Sequence, residues 1–281
     1  MSQANETRER VSDLIEEYGR LEIYDVDGGV CDLSFGSPVD GEVRETIRKQ
    51  LDGPVPDELA AYAEAGSRTR GIWMEGVGLN ASPAQVRRGL GGAVRGIRNC
   101  LPFGSDGFGN GLYLQVRPSG CRAWYLPHDP AAIVLMGHSL LDFLERRLTA
   151  IRAYKEVTDQ WVAAAEADDF DRELPPEPSA PEDDFRRLEP VAPEEVPPVD
   201  SEAFNHVCDR HDGPVQVVDL RDGDLPAGVD LTRPDCRTLQ WRQFGELLVG
   251  LGASREEPAS SSQAEPGRGE PSEDDPWWKF W

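Results

Sequence analysis

Val11, Leu14, Ile15 and Tyr18 recur at the i, i+3, i+4, i+7 spacing that gathers apolar side chains on one side of a helix. Charged residues fill the positions between them, so the stretch predicts an amphipathic first helix. Leu21 to Val26 then reads as a short strand stopped by Asp27-Gly28-Gly29, with Val30 to Phe35 returning as its hairpin partner. Asp40 to Gln50 is polar and predicts a surface helix. "GPVPDELAAYAEAG", from Gly53 to Gly66, opens on proline and closes on glycine, the signals of a short helix. Ile72 to Leu79 predicts a strand. Ser82-Pro83 starts a further helix that ends near Gly89, Gly91 and Gly92.

Farther along, Leu112, Leu114 and Val116 alternate with Tyr113 and Gln115, the period of a half-buried strand. Pro118-Ser119-Gly120 makes a turn, and Cys121 to Leu126 returns as the paired strand. Ser139 precedes an apolar run with Asp142 three residues on, a capping-box pattern. Leu141, Leu144, Leu148 and Ile151 then line one face of a helix that runs on towards Ala165. The pattern lapses from Asp168 to Asp200, where eight prolines and a net charge of -9 predict an extended linker. It resumes with Val215, Val217 and Val218 as a strand. Leu239 to Leu251 reads as a helix carrying Trp241, Phe244, Leu247 and Leu248. Beyond Ala253 the chain is rich in Ser, Pro, Glu and Gly until Trp277-Trp278-Lys279-Phe280-Trp281. No fixed-period repeat is present.

These patterns divide the 281 residues into a main domain at 1–165, an acidic Pro-rich linker at 166–200, a small α+β unit at 201–252, and an acidic tail at 253–281 with an aromatic tip. The net charge of -23 sharpens that division, because residues 1–150 contribute only -5 of it. An acidic body repels nucleic acid and favours basic partners. Five cysteines, an odd number without a CxxC pair, and a polar N-terminal segment point to a reducing compartment and a cytoplasmic protein. No apolar run is long enough to span a bilayer.

The most suggestive stretch is "LPFGSDGFGNGLYLQV", Leu101 to Val116. It lacks the Lys of a phosphate-binding Walker loop, and its glycines precede a strand rather than a helix, which is the wrong order for a dinucleotide site. Glycine, Asp and Asn together suit a tight turn. Read with "AWYLPHDP" and "GHSLLDFLERRL", the stretch resembles the core of the SUKH superfamily, which contains Smi/Knr-like regulators and many bacterial immunity proteins. The matching residues are Pro102, Phe103, Gly104, Asp106, Gly107, Gly109 and Asn110 in the loop. They continue with His128 and Asp129 after the return strand, and with Ser139, Phe143 and Leu144 at the helix. Pro56 and Tyr62 match the family's first helix, although "AGSRTRG" stands where an Asn-Gly turn often follows it. The resemblance spans residues 50–150. It implies an α+β fold, a curved and mainly antiparallel sheet with helices packed on it. It also implies structural roles for these residues, with no catalytic ones and no cofactor.

Other constellations stand beside it in the sequence. His128 and Asp129 form a formal acid–base pair, but no Ser or Cys nucleophile lies nearby in sequence. His206, Cys208, His211 and Cys236 offer zinc-ligand chemistry in a spacing that matches no strong pattern. Trp277, Trp278, Phe280 and Trp281 are the residue types that anchor protein interfaces. The expected function is non-enzymatic protein binding, by an immunity protein that neutralises a basic toxin domain in a bacterial conflict system. Two alternatives remain: a regulatory adaptor that recruits a partner through the aromatic tip, and a metal-dependent enzyme built on the His/Cys cluster.

Overall fold

The computed structural model describes residues 3–24, 30–31, 36–51, 53–66, 68–69, 76–79, 81–105, 109–167, 174–176, 179–180, 184–221 and 223–253. The first segment is helix α1 (Gln3–Gly19), whose stripe buries Val11, Leu14 and Tyr18. A short hairpin follows, β1 (Ile23–Tyr24) with β2 (Val30–Cys31), and then α2 (Gly41–Gln50). Asp40 caps α2 by accepting the Glu42 backbone N–H. Helix α3 (Asp57–Ala65) leads to β3 (Arg68–Thr69) and β4 (Gly76–Gly78). Helix α4 (Pro83–Gly91) carries a full capping box: Ser82 accepts from the Gln85 N–H and the Gln85 side chain accepts from the Ser82 N–H.

A small hairpin, β5 (Ala93–Val94) and β6 (Ile97–Arg98), introduces the central strands. These are β7 (Cys100–Ser105), β8 (Gly111–Arg117), β9 (Gly120–Leu126) and β10 (Ala132–Gly137). Helix α5 (Leu140–Glu166) follows, with Ser139 accepting the Asp142 N–H as its cap. The Asp142 carboxylate accepts from the N–H of His138, one residue ahead of the cap. The rest of the described chain holds β11 (Arg186–Arg187), a 3-10 turn (Pro193–Glu195), α6 (Glu202–Arg210), β12 (Val215–Asp219), β13 (Ala227–Asp230), β14 (Gln240–Phe244) and β15 (Leu247–Leu251).

The largest sheet has eight strands in the order β11-β13-β10-β9-β8-β7-β4-β3. All neighbours are antiparallel except β11 and β13. The fold is therefore mixed α+β, built on a largely antiparallel sheet. Register shifts between Pro102 and Gly104 and between Leu135 and Gly137 break the ladder at two points, the irregularities that bend a strand.

Strands β9 and β10 explain how the layers assemble. Ala123, Tyr125, Val134 and Met136 belong to the core shared with α1, α3 and α5. Their alternate neighbours, Trp124, Leu126, Ile133 and Leu135, belong to a second core with Val218, Leu220, Val229 and Trp241. β10, and β9 from Ala123 to Leu126, are apolar on both faces and read as continuous hydrophobic runs. Helices cover one face of the sheet, and residues from the C-terminal third cover the other. A third, smaller core forms between α6 and the three-stranded sheet β12-β15-β14, around Phe204, Val217 and Val249.

Two elements differ from the sequence reading. Leu239 to Leu251 is a β-hairpin, β14–β15, and not a helix. Its Phe244↔Leu247 pairing leaves the two-residue loop Gly245-Glu246, and Gly245 takes a φ of +63. Glycine at the first position of such a loop is a hairpin signal, and it outweighs the helical spacing of Trp241, Phe244 and Leu248. The second difference lies at residues 184–200, read as extended linker. Arg186 and Arg187 pair with β13, and Val191 exchanges backbone hydrogen bonds with Val217. Phe185 is buried in the helix-side core.

Candidate binding cleft at the glycine-rich loop

The residues that carry the SUKH resemblance meet in space mainly by packing. Tyr62 of α3, Phe103 of β7 and Phe143 of α5 form one aromatic run, with ring centroids 5.3 Å apart for Tyr62–Phe103 and 6.1 Å for Phe103–Phe143. The Tyr62 hydroxyl donates to the Val77 carbonyl at 3.2 Å. One turn earlier on α3, the buried Glu58 carboxylate accepts the Cys121 N–H at 2.6 Å and the Leu141 N–H at 3.2 Å. It thereby ties α3 to the start of β9 and to the first turn of α5, where a negative charge also complements the helix dipole.

The loop itself is held by side chains that satisfy backbone groups. Asn110 Oδ1 accepts the His128 N–H at 2.8 Å and lies 2.7 Å from His128 Nδ1. Asn110 thus links the entry of β8 to the exit of β9, while Asp129 is exposed. Gly109 takes a φ of +92, and a Cβ there would lie 3.4 Å from His128 Cε1. Asp106 and Gly107 lie outside the described residues.

These residues border a cleft of about 1050 Å³. Pro102, Gly104, Ser105, Gly109 and His128 line one side of it. Leu126 and Ile133 of the sheet, with Leu231, Leu239 and Trp241 from the C-terminal third, supply its apolar surface. The β5–β6 hairpin closes another side. Its loop residues Arg95 and Gly96 both have positive φ, +48 and +82, as a two-residue type I′ loop requires. A Cβ at Gly96 would lie 1.9 Å from the Trp241 carbonyl oxygen, so only glycine lets this hairpin lie against β14.

Arg95 places a side chain that belongs to none of the motifs above. Its guanidinium Nη1 donates to the carbonyls of Pro127 and Ala132, the latter at 2.7 Å. These two bonds clamp the loop that carries His128, and they offset the cost of holding a non-glycine residue at positive φ. Burial lowers the Arg95 pKa from its ordinary value, the nearby Tyr113 working the other way. The run Val94-Arg95-Gly96-Ile97 has the form of a two-residue hairpin loop, which is the signal that marks it in the sequence.

The C-terminal hairpin is fastened to the sheet by a polar network. The Gln115 amide donates to Gln243 Oε1 at 2.6 Å and to the Arg98 carbonyl at 3.1 Å. Gln115 Oε1 in turn accepts from Trp124 Nε1 and from Gln243 Nε2. Beside it the buried Arg122 donates to the Gly245 carbonyl at 2.6 Å and pairs with Glu246. Burial and the neighbouring Arg117 push the Arg122 pKa down to about 10, against the pull of Glu246.

The zinc candidates are dispersed. His206 and His211 line one hollow of about 440 Å³ with Arg210 and Arg242. His211 Nε2 lies 2.8 Å from the Gly252 carbonyl. Cys208 packs beside Phe204, and Cys236 is buried with Trp124 and Val229. Among the described residues no group of three or more His, Cys, Asp and Glu side chains is placed to hold a metal ion. Cys100, Cys121, Cys208 and Cys236 are free thiols, and burial pushes the Cys100 thiol up to about 12. Trp277, Trp278, Phe280 and Trp281 lie outside the described residues. No described helix is long and apolar enough to cross a membrane. No family model, curated protein or solved structure matches this chain.

Proposed function

We propose that this chain is a non-enzymatic protein-binding module of the SUKH type, an immunity protein that neutralises a basic toxin domain in the cytoplasm. The observation that carries the reading is the use to which the motif residues are put. Tyr62, Phe103 and Phe143 pack ring to ring, and Asn110 and Ser139 satisfy backbone N–H groups. Each is spent on shape, as expected of a family whose members present surfaces. The largely antiparallel sheet with helices on one face is compatible with the same family.

The net charge of -23 supplies the rest of the mechanism. Many nuclease toxins are basic because they bind polyanions. An acidic inhibitor is steered towards such a surface, and once bound it occupies the place of the substrate. The test is co-expression with a toxin domain encoded beside this chain in its genome. The expected result is restored growth and a one-to-one complex. A neighbourhood without a toxin, or cell death despite matched expression, contradicts the proposal.

A further inference from the structure

The chain carries 52 acidic and 29 basic residues, yet the hollows around its C-terminal hairpin are basic. Arg88 and Arg95 line the cleft of about 1050 Å³. Arg210 and Arg242 line the hollow of about 440 Å³, and Arg98 and Arg242 line a third of about 800 Å³. Among the described residues that line these three hollows, Glu202, in the third, is the single acidic side chain. Gln240 borders each of them, so they adjoin as one trough. One end of the trough is apolar, walled by Tyr113, Leu126, Ile133 and Trp241. The other end is lined by Ala253, the last described residue.

The sequence that follows Ala253 is the chemical complement of this trough. Glu270, Glu273, Asp274 and Asp275 come immediately before Pro276 and the aromatic tip Trp277-Trp278-Lys279-Phe280-Trp281. The 23 residues from 254 to 276 separate Ala253 from Trp277. At about 3.3 Å per extended residue they reach up to roughly 75 Å, so tether length does not limit access to a cleft that adjoins the hollow at Ala253.

We infer that the trough binds the chain's own segment Glu270–Trp281. The aromatic rings fill the apolar end beneath the glycine-rich loop, and the carboxylates follow the arginines. Buried aromatic anchors supply the affinity, and the charges fix the direction in which the segment lies. Covalent linkage gives the segment an effective concentration on the order of millimolar, so an intrinsic dissociation constant of ~0.1 mM keeps the cleft occupied. A partner that needs the cleft must first displace the tip. This inference goes beyond the proposed function and does not depend on the family reading.

The test compares the full chain with a full-length variant carrying Trp277→Ala, Trp278→Ala, Phe280→Ala and Trp281→Ala. Each is titrated with a dye-labelled synthetic peptide of residues 270–281, read by fluorescence anisotropy. A native-like circular dichroism spectrum and a cooperative melt, at a somewhat lower temperature because the bound tip no longer stabilises the fold, establish that the variant is folded. The expected result is at least ~10-fold tighter peptide binding by the variant, because its cleft is no longer filled from within. Adding Arg98→Glu and Arg242→Glu to the variant weakens the peptide by ~10-fold or more, as does raised salt. Failure of the variant to bind the peptide overturns the inference, and so does equal binding by both chains. A native chain that forms concentration-dependent dimers lost in the variant places the tip in a neighbour's cleft and equally overturns occupancy by its own chain.

Discussion

Gly109 and Arg95 show how single residues shape the cleft. Gly109 combines a φ of +92 with a near contact to the His128 ring, so a branched side chain there is strained in backbone and crowded in space. Gly109→Val is expected to lower stability by about 1–3 kcal/mol, measured by urea unfolding. Phe103 is fully buried between Tyr62 and Phe143, and Phe103→Ala is expected to cost about 3–5 kcal/mol in the same assay. Equal stability of either variant and the native chain would remove the packing role assigned to the motif. Phe103 and Asn110 were legible in the sequence because they share one contiguous stretch with glycine, Asn and aromatic residues in set positions, and His128 because it stands in a second short stretch of the same pattern. Arg95 was not, because the carbonyls that it holds belong to residues 32 and 37 positions later. A two-residue loop signal gives no hint of such distant partners.

At the level of elements, local signals located the caps of α4 and α5 and the β8–β9 pair. They misplaced β14–β15. Trp241, Phe244 and Leu248 fall at helical spacing, but Trp241 packs on the sheet's second face while Phe244 meets Phe204 in the smaller core, ring centroids 6.4 Å apart. Two cores on opposite sides of one hairpin produce a run of apolar residues in which the alternation is hidden. The Gln115–Gln243–Trp124 network holds this hairpin in place. Gln243→Ala leaves the buried Gln115 without a side-chain partner from β14, and the expected loss is about 1–3 kcal/mol in urea unfolding. No measurable loss would mean that the network does not fasten the hairpin.

For the molecule as a whole, the sheet depends on material from both ends of the chain. A chain ending at residue 167 keeps the helix-side core apart from Phe185 but uncovers Trp124, Ile133 and Leu135 on the other face. It is expected to bind the apolar dye anilinonaphthalene sulfonate and to self-associate, whereas the full chain does neither. A truncated chain that stays monomeric and dye-free would show that the two layers stand apart. Proline and acidic charge make the whole of 166–200 read as a linker, residues 184–200 with it. The pairing of Arg186 and Arg187 with β13 is a long-range contact of two residues, too short to leave a periodic signal. Buried thiols give a second whole-molecule expectation. Burial holds Cys100 at about 12 and also raises Cys121, so the folded state keeps these protons more tightly than the unfolded chain. Their contribution is complete below an unfolded thiol pKa of about 8.5 and is lost as pH climbs towards 12. The melting temperature should therefore fall as pH rises above about 9, with a shallower slope in Cys100→Ala. Equal slopes would assign the alkaline loss to other groups.

Whether this acidic molecule acts by binding a basic protein is decided most directly by stopped-flow association with the basic toxin domain proposed as its partner, at two salt concentrations. The account predicts a one-to-one complex whose association rate drops by ~10-fold or more between ~0.02 M and ~0.5 M salt, as screening shortens the reach of the charge. An association rate that is insensitive to salt, or no complex at either concentration, would contradict it.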